Sequence, residues 1–142
     1  MAVESSASAT WNGDLMGGRG SVRPASGAFA ELPLTWRQRA ESRESGTSPE
    51  ELIASAHAGC FAMALSFGLA NAGHPPERLE TSSRVAFQPG QGITGIQLSV
   101  RGRVPGIDQA AFQEAAESAK ATCPVSQALT GAPITLEEAV LE

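Results

Sequence analysis

Residues 47–65, TSPEELIASAHAGCFAMAL, join a helix start signal to a thiol deep in an apolar run. Ser48 suits the N-cap, Pro49 fits the first helical position, and Glu51 stands three residues after the cap, the spacing of a capping box. The helix is predicted over residues 49–72, ending at Gly73, with GHPPE blocking extension. Past its first turn it is apolar nearly all round, through Ile53, Ala54, Ala56, Ala58, Phe61, Met63, Leu65, Phe67 and Leu69. Such a helix is expected to be buried on most sides, and its small residues permit close approach by another helix.

The flanking segments read as strands and shorter helices. ATWNGDLMGGRGSV predicts two strands joined through Asn12-Gly13 and a glycine-rich stretch. FAELPLTWRQRA alternates, with Leu34, Trp36 and Gln38 on one side and Thr35, Arg37 and Arg39 on the other, which predicts a third strand carrying both arginines on one face. A polar loop, ESRESGTS, follows at 41–48. Downstream of the long helix, LETSSRVAFQ and GITGIQLSVRGRV predict two strands around the turn PGQG. Asp108 is placed to cap a helix ending near Thr122, PVSQAL begins a short helix, and PITLEEAVL closes with a strand. The order predicts an α+β fold, with antiparallel sheets around a central buried helix, in a single domain spanning 1–142.

The 142 residues carry a formal net charge of −5, a field that disfavours a nucleic-acid partner. No Lys/Arg block marks a membrane-surface patch. The apolar run is interrupted by His57, Ser66 and glycines, so no membrane span is expected. MAVESSASATWNG lacks the basic and apolar regions of a secretory signal, and the expected compartment is the reducing cytoplasm.

Two cysteines, Cys60 and Cys123, stand far apart and form neither a CxxC pair nor a zinc knuckle. A thiol reacts as its thiolate. Cys60 lies beyond reach of the helix dipole, and apolar packing there raises a thiol pKa. Cys123 precedes Pro124 at a helix start, so local electrostatics favour Cys123 as the nucleophile. A reactive Cys60 requires a cation from elsewhere, and Arg37 and Arg39 are the candidates, with Glu50 as the carboxylate that would hold a buried guanidinium. The competing readings are a solvated arginine face and a helix-start acid.

Along one helix, Glu50 and Cys60 stand about 15 Å apart and point about 80° from each other. If they share a site, two copies of the helix must meet, so a two-fold homodimer with sites at its interface is expected. His57 lies one turn before Cys60. A metal held by His57, Cys60 and Cys123 remains a competing reading, although no ligand spacing is typical; neither metal nor cofactor is expected.

GTSPEELIASAHAGCFAMALS followed by CPVSQAL resembles the OsmC branch of the OsmC/Ohr family of thiol peroxidases, and WNGDLMGGRGSV, PGID and ITLEE extend the resemblance over nearly the whole chain. It implies an intertwined α+β homodimer that reduces hydroperoxides, organic ones preferentially. It implies Cys60 as peroxidatic and Cys123 as resolving cysteine, against the dipole argument, and it implies Glu50 as the family glutamate. The family arginine maps to Arg39 in RAE, where alanine replaces the usual aromatic, so Arg37 stays open. A Cys60 sulfenic acid would condense with Cys123 to a disulfide, which a dithiol reduces; lipoyl-type dithiols are one candidate. Phe61, Met63 and Phe67 are expected to line an apolar pocket. A non-catalytic redox-sensitive dimer is the alternative.

Overall fold

The computed structural model describes residues 1–41 and 45–142. The chain forms two compact units, Met1–Pro49 and Glu50–Glu142.

In the first unit, β1 (Ala7–Asn12), β2 (Arg19–Pro24) and β3 (Leu32–Leu34) form an antiparallel sheet in that order. The β1–β2 connection is held by the Asp14 carboxylate, which accepts from Gly17 N–H at 2.8 Å, and by Trp11 Nε1, which donates to the Gly13 carbonyl at 3.1 Å. The third strand is shorter than its alternation predicts. After Leu34 the chain turns into a five-residue helix, α1 (Trp36–Ala40). Thr35 is its N-cap and accepts from Gln38 N–H at 3.0 Å. Thr35-Trp36-Arg37-Gln38 has capping-box spacing, the local signal that alternation concealed. Arg37 and Arg39 therefore do not share a strand face. At about 100° per residue they diverge by about 160° around a helix. Thr47 N–H returns to the Pro33 carbonyl at 3.0 Å. Part of the polar loop expected at 41–48, residues 42–44, lies outside the described residues.

The long helix α2 (Pro49–Asn71), which belongs to the second unit from Glu50 onward, ends as its sequence dictates. Gly73 takes φ +90°, its N–H reaches the Ala70 carbonyl, and His74 N–H reaches that of Leu69 at 2.9 Å. This is a Schellman motif, and its left-handed position is why glycine stands there. Strands β4 (Arg78–Gln88) and β5 (Gly92–Arg103) pair antiparallel across the PGQG turn. Asp108 caps α3 (Gln109–Thr122), accepting from Ala111 N–H at 2.8 Å. Next come α4 (Pro124–Ala128) and β6 (Ile134–Leu141). The sheet order is β4-β5-β6. One pairing departs from the antiparallel expectation: β6 runs parallel to β5. The α3–α4 connection crosses back between the two strands, which is what a parallel neighbour requires.

The core joins Phe61, Leu65 and Leu69 of α2 to Ile96, Leu98 and Val100 of β5 and to Phe112, Ala116 and Ala119 of α3. A Cβ on Gly102 would stand 2.6 Å from the Phe112 ring, so only glycine lets that ring seat. Thr81 Oγ1 donates to the Ala58 carbonyl at 2.8 Å and fixes β4 to the middle of α2.

The long helix is not buried on most sides in the single chain. His57, Phe61, Leu65 and Leu69 form its buried face, while Met63 and Phe67 are 75% and 67% exposed. By length and composition α2 is also apolar enough to cross a membrane, but its Phe61–Leu65–Leu69 face belongs to the protein core.

Candidate active site

Positions 56, 60, 63 and 67 recur at helical spacing, so Cys60 falls on the uncovered side of α2, next to the core face. Its half-buried thiol opens onto a groove of about 780 Å³ lined by Ala56, Gly59, Met63, Phe67, Thr122 and Pro124. Of the three apolar side chains expected there, Met63 and Phe67 line the groove. Phe61 does not: it is fully buried in the core.

Cys123 stands where α3 passes into α4. Its N–H closes the last turn of α3 on the Ala119 carbonyl at 2.9 Å, and its carbonyl opens α4 by accepting from Gln127 N–H at 3.0 Å. Pro124 at the first position of α4 keeps Cys123 out of the helical region, at ψ 126°. The sulfur points inward and is wholly buried.

The two thiols, remote in sequence, meet here, and each acts on the other's ionisation. Burial pushes the Cys60 thiol above its ordinary value, and the neighbouring Cys123 sulfur adds to the rise, against a smaller opposing effect of Val125 N–H. Burial pushes Cys123 up as well. For that sulfur the approach of the Cys60 thiol, of Ser126 N–H and hydroxyl, and of Val125 N–H outweighs burial, and the net direction is down. These approaches are looser than a formal cap, since the Cys123 side chain makes no capping hydrogen bond of normal geometry. Within this unit the pair thus favours the negative charge on Cys123, as the helix-start argument anticipates.

His57 is fully buried and its Nε2 lies 2.7 Å from Ser126 Oγ. Its Nδ1 is buried with no hydrogen-bond partner among the described residues. Burial lowers the His57 pKa and keeps the ring neutral. The unfolded chain therefore binds a proton at His57 that the folded chain refuses. Its contribution to stability is complete above about pH 6.5 and is lost as pH falls through the lower folded-state value. Denaturant titrations should show stability falling with pH below about 6.5, and the His57→Gln variant should lack that share of the slope.

Glu50 is buried in the first turn of α2. Glu50 and Cys60 lie on the one continuous helix α2, ten residues and so about 15 Å apart. Arg39 belongs to the first unit. It is half-buried and lines a cavity of about 440 Å³ with Trp11, Leu15, Leu34, Trp36 and Pro49, whereas Arg37 is exposed. Sequence reasoning missed Ser126, although Cys123-x-x-Ser126 spans one turn at a helix start, where serine groups commonly meet their neighbours.

The arrangement is a half-buried thiol at an apolar groove, with a second thiol buried behind it. A family model described as OsmC-like protein matches residues 42–138. Peroxiredoxin OsmC of Escherichia coli (strain K12) is 43% identical over 140 residues, covering 96% of each chain. The organic hydroperoxide resistance protein of Xanthomonas axonopodis pv. citri (strain 306) is 33% identical over 92 residues, covering 61% of each. The crystal structure of an OsmC like protein from Mycoplasma pneumoniae superposes with a TM-score of 0.73 at 16% identity, covering 100% of both chains, a likeness of fold. A fold with two small sheets and a long thiol-bearing helix, matched by the family model over most of its length, places this chain in the OsmC-like protein family.

Proposed function

We propose that the chain is a cysteine-based peroxidase that reduces organic hydroperoxides, and hydrogen peroxide less well, to alcohols in oxidative and osmotic stress defence. The observation that carries this reading is the Cys60 thiol at the apolar groove with Cys123 directly behind it. The names of the relatives, peroxiredoxin and organic hydroperoxide resistance protein, support it.

The chemistry follows from the pair. The Cys60 thiolate attacks the terminal oxygen of the hydroperoxide. The O–O bond breaks, the alcohol leaves with a proton, and Cys60 becomes a sulfenic acid. Cys123 then attacks the Cys60 sulfur, an S–S bond forms, and the oxygen departs as water. Two exchange steps with an external dithiol, for which a lipoyl-type dithiol is the candidate, restore both thiols. Met63 and Phe67 give the groove an affinity for the hydrocarbon part of an organic hydroperoxide. The hydroperoxide is the oxidant and the dithiol the reductant, and the electrons pass through the protein's own two sulfurs.

Burial disfavours a Cys60 thiolate, so a cation must offset it, and each pKa unit of offset corresponds to about 1.4 kcal/mol. Arg39 fills this role, with the Glu50 carboxylate holding the guanidinium. The helix separation of Glu50 and Cys60 supports a two-fold homodimer in which one protomer's Glu50 and Arg39 act on the other's Cys60. The exposed Met63 and Phe67 face of α2 supplies an apolar surface for the second copy. On this reading residues 1–142 work as one OsmC-like domain, and the cytoplasm, which keeps dithiols reduced, is its setting.

Cys123→Ser provides the test. With cumene hydroperoxide and no reductant it should consume one equivalent per chain, leaving Cys60 as a sulfenic acid in the intact mass. Wild type should end with a Cys60–Cys123 disulfide. Peroxide exposure that leaves the thiol count of wild type unchanged would remove the peroxidase reading in favour of a non-catalytic dimer.

A further inference from the structure

The peroxidase chemistry leaves the buried His57 and Ser126 without a task. His57 is fully buried, titratable and one turn before Cys60 on α2. Ser126 is buried and stands one turn after Cys123, on α4. The same three-residue spacing thus separates each of these side chains from a cysteine. The two helices are joined by parallel rungs, Cys60 against Cys123 and His57 Nε2 against Ser126 Oγ at 2.7 Å.

The direction of the second rung follows from proton accounting. His57 Nδ1 has no hydrogen-bond partner among the described residues. A buried N–H without an acceptor is costly, so the proton of the neutral ring belongs on Nε2, where Ser126 Oγ accepts it. Ser126 then has its own hydroxyl hydrogen to donate, and it stands in the first turn of α4, three residues after the N-cap Cys123, whose ionisation that hydroxyl favours.

We propose, on the peroxidase reading above, that His57 and Ser126 are positioning residues for disulfide closure: their hydrogen bond registers α4 on α2 and turns the Ser126 hydroxyl hydrogen toward the Cys123 sulfur. Closure requires Cys123 to attack the Cys60 sulfenic acid as a thiolate. The S–S bond forms as the S–O bond breaks, and the departing hydroxide takes up a proton to become water. A donor aimed at Cys123 stabilises that thiolate until the attack. The first step, attack on the peroxide, takes place at the Cys60 sulfur, which the rung reaches only through Cys123.

The test separates the two steps. Stopped-flow mixing with cumene hydroperoxide gives the attack rate, and dimedone trapping followed in time by intact mass gives the lifetime of the sulfenic acid. Ser126→Ala should slow closure about tenfold, the effect of losing one hydrogen bond to a charged group, and dimedone-labelled Cys60 should rise accordingly. Ser126→Thr, which keeps the hydroxyl, should restore closure. His57→Leu should resemble Ser126→Ala, while His57→Gln, which retains an N–H donor at similar reach, should stay near wild type. Attack rates should change far less than closure rates throughout. Should His57→Leu fail to fold, the Ala and Thr variants of Ser126 still decide the matter. Closure at the wild-type rate in Ser126→Ala, an equal loss in the attack step, or no recovery with Thr would overturn the proposal while leaving the peroxidase reading intact. A wild type that forms no Cys60–Cys123 disulfide would overturn both.

Discussion

Replacing Cys60 by serine is expected to abolish hydroperoxide consumption. Serine is nearly the same shape, so the α2 core face of Phe61, Leu65 and Leu69 and the His57–Ser126 hydrogen bond should persist. What is lost is the soft, ionisable sulfur, since a serine hydroxyl does not ionise near neutral pH without a dedicated base. The variant is informative because the direction of ionisation within the second unit favours Cys123. If Cys123 were the attacking thiol, Cys60→Ser would still consume one equivalent of peroxide and stop at a Cys123 sulfenic acid. The wholly buried Cys123 sulfur, set behind a Cys60 that lines the groove, argues against that outcome. A peroxide has to reach the sulfur it oxidises, and accessibility outranks thiolate fraction when one thiol shields the other. Single-turnover stopped-flow with cumene hydroperoxide, followed by intact mass, reads the result. A persisting burst with oxidation on Cys123 would reverse the assignment.

Arg39→Ala is expected to slow peroxide attack by about 10²–10³, the effect of removing one donor aimed at developing negative charge. Arg37→Ala should stay within a few-fold of wild type. The fold separates the two candidates. Both lie on α1, a five-residue helix, where adjacent-but-one positions diverge instead of sharing a face. Arg37 is exposed, while Arg39 lines a largely apolar cavity beside Trp11 and Trp36. A guanidinium in such surroundings is less screened by water and exerts a stronger field. The attack rate measured at several pH values checks the cause: loss of Arg39 should shift the rate profile toward higher pH, because the Cys60 thiolate then has only its burial-raised pKa. A larger loss in Arg37→Ala than in Arg39→Ala would move the role to Arg37.

Much of the second unit was legible from residues that act on their immediate neighbours. Pro49 and Gly73 bound α2, Asp108 starts α3, and Pro124 starts α4, because caps and φ constraints operate within one turn. Alternation in Ile96, Leu98 and Val100 placed β5 against the core, since a strand's two faces follow from its period. Alternation misled at Trp36–Ala40. There the cap at Thr35 outweighed a period-two pattern too short to specify a strand.

The element boundaries of the second unit and the family were readable along the chain, because each rests on spacing within a short stretch of residues, whereas the roles of the two thiols came from the resemblance, against the dipole argument. Packing added that β6 lies parallel to β5, which face of α2 stays open, and that His57 binds Ser126, and it brings together the two cysteines that the resemblance had paired. Those facts depend on how distant segments pack. Nothing in the local sequence of α2 distinguishes Phe61, which ends in the core, from Met63 and Phe67, which remain exposed. The choice is made when the helix rotates to bury one stripe against β5 and α3, and that rotation carries Cys60 to the groove and His57 to Ser126 together.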